Sequence, residues 1–294
     1  MLPNPDMSAA APLPAAVVAP DWLARHLDDP DVVVVDASWY LPAAQRDPRA
    51  EYLAAHLPGA VFWDLDAMSD PHTTLPHMLP DPATLGRWIG ELGIGNDSRV
   101  VVYDGSGANL SAARVWWTLR VAGHDQVAVL DGGLSRWKSE GRPLVGGPVR
   151  RAAATFRVRW RPELVHSLET VRANLGAGEW QALDARSRGR FAGTEPEPRP
   201  GLRSGHMPGA RNLPYAELVD SEGSLRPRTE LVALFEAAGL DLSKPVVTSC
   251  GSGVTACALA LGLHTIGHRN YAVYDGSWTE WSQQEGPPVV TGSD

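Results

Sequence analysis

The feature that most constrains this chain is that it repeats itself. Val32-Val33-Val34-Val35-Asp36-Ala37-Ser38 parallels Gln181-Ala182-Leu183-Asp184-Ala185-Arg186-Ser187, and His56-Leu57-Pro58-Gly59-Ala60 parallels His206-Met207-Pro208-Gly209-Ala210. Val100-Val101-Val102-Tyr103-Asp104-Gly105-Ser106-Gly107 aligns with Val246-Val247-Thr248-Ser249-Cys250-Gly251-Ser252-Gly253, and Asp131-Gly132-Gly133-Leu134-Ser135-Arg136-Trp137 with Asp275-Gly276-Ser277-Trp278-Thr279-Glu280-Trp281. All four pairs keep their order at an offset of about 144 to 150 residues, which is the size of a domain rather than of a solenoid repeat. The 294 residues therefore read as two copies of one fold, each long enough to bury its own core.

Each copy reads as α/β. Short β-branched runs (Val32–Val35, Val100–Tyr103, Val127–Leu130) alternate with helical stretches such as Pro82–Leu92 and Ser111–Ala122. The second copy repeats this at Ala182–Ala185, Pro245–Ser249 and Asn270–Tyr274, with helices near Arg228–Ala238 and Val254–Ile266. Such alternation implies a mostly parallel sheet covered by helices on both faces. The expected organisation is a flexible tail over 1–16, a first domain over 17–141, a linker over 142–162, a second domain over 163–287 and a tail over 288–294. Pro143, Gly146, Gly147 and Pro148 mark the linker, whose basic run from Arg150 to Arg161 reads as a solvated connector.

Composition narrows the function classes. A net charge of −8 argues against nucleic acid or an anionic membrane surface as the partner. No apolar run is long enough for a membrane span, and the Ala/Pro-rich start lacks the basic and apolar regions of a signal peptide. Cys250 and Cys257, if separated along a helix, stand too far apart for an unstrained disulfide. Two free thiols favour a reducing, cytoplasmic compartment.

The chemistry concentrates around Cys250. Lys244-Pro245-Val246-Val247-Thr248-Ser249 reads as a buried strand, Cys250-Gly251-Ser252-Gly253-Val254-Thr255 as a loop, and a helix begins near Ala256. That order puts the cysteine at the carboxyl edge of a parallel sheet, where such folds place their sites. Gly251 and Gly253 open backbone conformations closed to other residues, so successive loop amides can point at one anion. The helix N-terminus adds to that field and favours a thiolate or persulfide. Cys257, between Ala256 and Ala258, reads instead as a small core residue.

On these motifs, from about Val17 to Pro287, the sequence resembles the tandem rhodanese-type sulfurtransferases. The loop Cys250–Thr255 is similar to that of the 3-mercaptopyruvate-using members, whereas thiosulfate-using members carry basic residues just after the cysteine. The resemblance implies two tandem rhodanese-like domains with a catalytic second copy, Asp104 standing where the first copy would need its nucleophile. The segment from Arg186 to Arg199 alone reads as an Arg/Pro-rich surface loop. The resemblance implies that Arg190 and Arg199 bind the carboxylate and carbonyl end of the donor, a task suited to a planar guanidinium. Arg186 and Arg188 are expected to serve structure or solvent contact, and Glu195 and Glu197 to hold the loop and its arginines. The loop residues Gly251, Gly253, Val254 and Thr255 would cradle the transferred sulfur.

The resemblance also suggests a relay in which Asp66 orients His77 and His77 polarises the Ser252 hydroxyl. The plainer reading, that His77 bridges a loop and Ser252 is merely small, stands beside it, because contact between the two halves is invisible in sequence. His56 and His206, in matching turns, read as structural, as do Asp131, Asp275, Trp137 and Trp281. No zinc-ligand spacing and no nucleotide-binding glycine loop occurs, so no metal or organic cofactor is expected beyond a covalent persulfide on Cys250. The expected reaction moves sulfur from 3-mercaptopyruvate to thioredoxin, a small thiol or cyanide. Thiosulfate as donor and a non-catalytic rhodanese-fold binding module are the alternatives. A cysteine phosphatase would want an arginine where Ala256 stands.

Overall fold

A computed structural model of the chain describes residues 11–283 and 286–292. The first half runs β1 (Val17–Val18), α1 (Pro20–His26), β2 (Val32–Asp36), α2 (Pro48–Ala54), β3 (Val61–Phe62), α3 (Pro82–Glu91), β4 (Arg99–Tyr103), α4 (Leu110–Val121), β5 (Val127–Leu130) and α5 (Gly133–Ser139). The second runs β6 (Val165–His166), α6 (Leu168–Ala177), β7 (Gln181–Asp184), α7 (Arg188–Ala192), β8 (Arg211–Asn212), α8 (Arg228–Ala237), β9 (Val246–Ser249), α9 (Ala256–Thr265), β10 (Tyr271–Tyr274) and α10 (Ser277–Gln283). Strand order is β1-β5-β4-β2-β3 in one sheet and β6-β10-β9-β7-β8 in the other, the same topology twice. The pairings are parallel, as the alternation of strands and helices requires.

The continuous valine runs of β2 and β4 are buried along their whole length because helices cover both faces of each sheet. Helices α4 and α9 each start at the loop that follows the central strand of their own sheet, and they pack against each other across the domain boundary. Both are buried on nearly every face, since each is sandwiched between its own sheet and its counterpart. Their small residues (Ala112, Ala113, Ala256, Ala258, Ala260) join one apolar core that runs through both halves. Register then sets the site: Asp184 pairs with Ser249, so β7 and β9 discharge the 185–199 segment and the Cys250 loop at one sheet edge.

Three boundaries differ from the sequence expectation. Val145 pairs with His56 while the Trp137 indole donates to Pro143 O at 2.8 Å; Val290 pairs with His206 while the Trp281 indole donates to Pro288 O at 2.9 Å. Residues 143–147 and 288–292 are thus corresponding closing segments of the two domains rather than linker and tail. The remaining connector is not solvated throughout. Its backbone hydrogen-bonds Gly90, Ala122 and Val121 from Ala154, Arg159 and Arg161, and Phe156 is buried. At the other end, Leu13 N–H donates to Gln126 Oε1 at 2.9 Å, so residues 11–16 dock on the first domain; residues 1–10 of the expected tail lie outside the described residues. Helix α9 begins at Ala256, where the loop reading puts it and two residues inside the broader helical stretch from Val254, because Val254 and Thr255 still belong to the turn set by Gly253 (φ +76°).

The repeated histidines stack inside their own domains, His56 on Tyr52 and His206 on Phe191, each with Nδ1 hydrogen-bonded to a backbone carbonyl. Truncation after Pro287 removes the Val290 bridge and the Trp281 acceptor. It is expected to lower the melting temperature by on the order of 5 °C in a circular-dichroism melt.

Candidate active site

Cys250 leaves the end of β9 with almost no exposure. Its backbone is clamped by the start of α10: Cys250 N–H donates to Ser277 Oγ at 3.1 Å, and Trp278 N–H donates to Cys250 O at 2.9 Å. Gly251 O accepts from both the amide and the hydroxyl of Thr279. Of the two loop glycines, Gly253 is the one the backbone requires, while at Gly251 a side chain would press on the end of Arg190. At Gly251 a Cβ would come within 3.0 Å of the Arg190 guanidinium, and at Gly253, with φ +76°, it would meet Asp275 O at 2.6 Å. Ser277 has φ +50°, where the first copy has Gly133 at φ +53°. A non-glycine residue tolerates that conformation only when its surroundings impose it, here through the serine hydroxyl that bridges Cys250 N–H and Tyr274 O.

A cavity of about 490 Å³ opens over the cysteine, lined by Trp39, Tyr40 and Arg46 from the first domain and Arg190, Arg199 and Tyr215 from the second. Gly251, Ser252, Val254 and Thr255 also line it, whereas the Gly253 backbone packs behind, against Asp275 and Arg114. A larger groove, about 660 Å³, lies between Gly93–Ser98 and the connector, and neither the cysteine nor these arginines reach it.

The two arginines expected to grip the donor are not equivalent. Arg190 Nε and Nη2 donate to Glu197 Oε2 at 3.2 and 2.5 Å, and the other Glu197 oxygen takes Arg186 Nη1 at 2.7 Å. Arg186 is fully buried and also tied to Asp184, so a buried acid–base network orients Arg190 and leaves its Nη1 edge open. Arg188 pairs with Glu217 at the surface, and Glu195 accepts from Ser187 Oγ. Arg199 has no hydrogen bond or ion pair among the described residues. Burial pulls its pKa down, the negative charge of a Cys250 thiolate opposes that, and neighbouring Arg190 adds to it. A second guanidinium and a partly dry setting make this an anion site assembled in advance.

Across the domain boundary His77 Nδ1 lies 3.0 Å from Ser252 Oγ, and His77 Nε2 lies 3.1 Å from Asp66 Oδ1. The three residues expected as a relay are therefore within hydrogen-bond reach in the expected order. Trp39 completes the group: its indole donates to both Asp66 oxygens and its ring meets His77 edge-on at 4.7 Å. The His77 hydrogen bond is the main influence holding the Asp66 carboxyl below its ordinary range, against a smaller opposing effect of burial. Any stability this pair supplies is present above the unfolded carboxylate pKa and fades as pH falls through the lower folded value.

The first copy offers an internal comparison. Asp104, at the place of Cys250, is buried with Oδ1 accepting from Ser106 N–H and Oγ at 2.8 and 2.5 Å and Oδ2 from Ala112 N–H at 2.9 Å. The loop of this fold thus cradles a carboxylate in one domain where it presents a thiol in the other. Among the described residues no group of three or more His, Cys, Asp or Glu is placed to hold a metal, and no helix is long and apolar enough to cross a membrane.

Comparison with known proteins gives the family of this fold. The rhodanese-like domain family matches residues 19–140 and 167–284. The chain belongs to the rhodanese family. Among curated rhodanese relatives, human 3-mercaptopyruvate sulfurtransferase is 42% identical, covering 96% of this chain and 97% of that protein. The mitochondrial thiosulfate/3-mercaptopyruvate sulfurtransferase 1 of Arabidopsis thaliana is 46% identical, covering 93% and 77%. Among solved structures, SseA of Escherichia coli, described as a 3-mercaptopyruvate sulfotransferase, superposes with a TM-score of 0.83 at 41% identity, covering 90% of this chain and 99% of that one. As in the tandem arrangement expected from sequence, this rhodanese-family chain carries two α/β domains with parallel sheets.

Sequence reasoning missed Trp39, Tyr215, Arg114 and Ser277. Trp39 and Tyr215 carry no local signal, but Ser277 had one: a serine aligned with a glycine of the other copy. Ser277→Ala removes the hydroxyl that holds the left-handed backbone and orphans the Cys250 amide, so it should cost about 1–3 kcal/mol in urea unfolding. Asp66→Asn should leave unfolding near neutral pH almost unchanged while lowering kcat, read from parallel urea titrations and steady-state rates.

Proposed function

We propose that this chain is a 3-mercaptopyruvate sulfurtransferase that carries the transferred sulfur as a persulfide on Cys250. The observation that carries the reading is the convergence in one cavity of a nearly buried cysteine with the open edge of Arg190 and the unpaired Arg199. The names of the human and Arabidopsis relatives support the same donor.

In this reading Arg199 takes the donor carboxylate through a bidentate contact and the open edge of Arg190 takes the keto oxygen. The Cys250 thiolate attacks the donor sulfur. A sulfur–sulfur bond forms, the carbon–sulfur bond breaks, and its electron pair goes to the enolate of pyruvate. The donor thiol proton passes by way of Ser252 and His77 to the pyruvate methyl carbon, Asp66 holding the imidazole in place. Cys250 is left as a persulfide anion facing the amides from Gly251 to Thr255. A thiol acceptor such as thioredoxin or a small thiol, or cyanide in vitro, takes the outer sulfur and restores the thiolate. The chemistry is covalent catalysis by the chain's own residues. Both cysteines are free, which suits the reducing cytoplasm.

Thiosulfate is the competing donor, and the Arabidopsis relative is named for both. Two features favour the keto acid: Gly251 adds no basic side chain to the cavity beside Arg190, and a single open guanidinium matches a single carboxylate. Steady-state assays with both donors test this. A higher kcat/KM for 3-mercaptopyruvate, lost in Cys250→Ser, is the expected result; a thiosulfate preference would overturn the donor assignment. Arg199→Lys is expected to raise KM for 3-mercaptopyruvate about tenfold or more, since a charge-assisted pair at this site contributes about 1.5–3 kcal/mol.

A further inference from the structure

His77 is a buried non-glycine residue in the left-handed region, at φ +63°. Leu79 and Leu225 make matching bonds, N–H to Asp275 and N–H to Asp131, so Gly223, two residues before Leu225 and at φ +80°, stands in the place of His77, against Gly107 of the dead loop in the first domain. Around the cysteine the chain thus keeps a histidine where the fold accepts glycine, and something must hold that backbone.

The holder is Arg114. It projects from α4 of the first domain, and its guanidinium is buried. Nη2 donates to His77 O in a short hydrogen bond; Nη1 donates to Gly253 O at 3.3 Å and to Asp275 Oδ1 at 2.6 Å. The other Asp275 oxygen accepts from Leu79 N–H at 2.8 Å, two residues beyond His77. The Trp117 ring backs the guanidinium at 4.6 Å. One planar group thus fixes the residue after Ser252, the backbone of His77 and the strand end at Asp275. The corresponding contact in the first copy is different: Asp131 accepts from Leu225 N–H and pairs with Arg136 of its own domain, which reaches Ser224 and not Gly223.

We infer that Arg114 is a positioning residue that sets the Ser252–His77 hydrogen bond across the domain boundary, and so controls proton transfer without touching the donor. The inference rests on the relay reading above. A lysine carries one point charge and cannot serve three acceptors in the plane of a guanidinium, whereas its length and charge preserve the pairing with Asp275.

The test is a double-mutant cycle between Arg114→Lys and Ser252→Ala, with folding checked by thermal melts and kinetics read with 3-mercaptopyruvate. Ser252→Ala is expected to lower kcat by about 100-fold. Arg114→Lys should lower it by about tenfold with KM unchanged, because Arg190 and Arg199 are untouched. In the double variant the Arg114 effect should vanish, kcat equalling that of Ser252→Ala alone. Multiplying effects, or wild-type kcat in a folded Arg114→Lys, would overturn the role of Arg114 while leaving the relay standing. Unchanged kcat in Ser252→Ala would remove the relay itself and the inference with it. Should Arg114→Lys not fold, Asp275→Asn replaces it in the cycle: it keeps the shape and weakens the grip on Arg114. A kcat loss absorbed by Ser252→Ala supports the inference, and an unchanged or multiplying kcat refutes it.

Discussion

The packing of α4 against α9 is the interaction on which the rest of the molecule depends. Each helix begins at the loop after the central strand of its own sheet, so bringing the helices together brings the two loops together. Small side chains at the crossing permit a close approach, and the apolar core that results runs through both domains. Arg114 is carried into the second domain on one of these helices, and Gly253 is held at the start of the other. The cavity over Cys250 is walled by both domains for the same reason.

Duplication explains why the site is asymmetric although the fold is not. Both copies keep the strand–loop–helix cradle, the histidine turn and the tryptophan that fastens the closing segment. They differ in what the cradle holds, an aspartate saturated with hydrogen bonds in one and a cysteine in the other. They differ also in backbone strain. His77 and Ser277 stand around the live loop at left-handed positions that glycines fill around the dead one. Strain held against an available unstrained solution marks the places where side-chain chemistry outweighs local stability.

Much of this was legible in the sequence. The repeat located both sheets, because valine-rich runs covered on both faces leave a clear signal, and Val127–Leu130 was read to the residue. The cysteine loop was legible because twin glycines after a strand have few other uses. The ends of the domains were not, since Val145 and Val290 act through single bridges to residues far back in the chain. The charges of the basic connector point to a solvated segment, while its backbone bonds and Phe156 fix it to the first domain. His77 and Ser252 are 175 positions apart, so their contact depends on how two domains dock. Arg190 and Arg199 are alike in sequence, and only the fold brings buried Glu197 onto one edge of Arg190.

The central claim is that one specific thiol carries the sulfur, and mass spectrometry of a single turnover tests it most directly. The enzyme is mixed with one equivalent of 3-mercaptopyruvate without acceptor, alkylated and digested, while pyruvate is measured in parallel. The account predicts one added sulfur atom on the peptide position of Cys250, none on Cys257, and one pyruvate per sulfur. Pyruvate release with an unmodified Cys250, or sulfur found on Cys257, would contradict it.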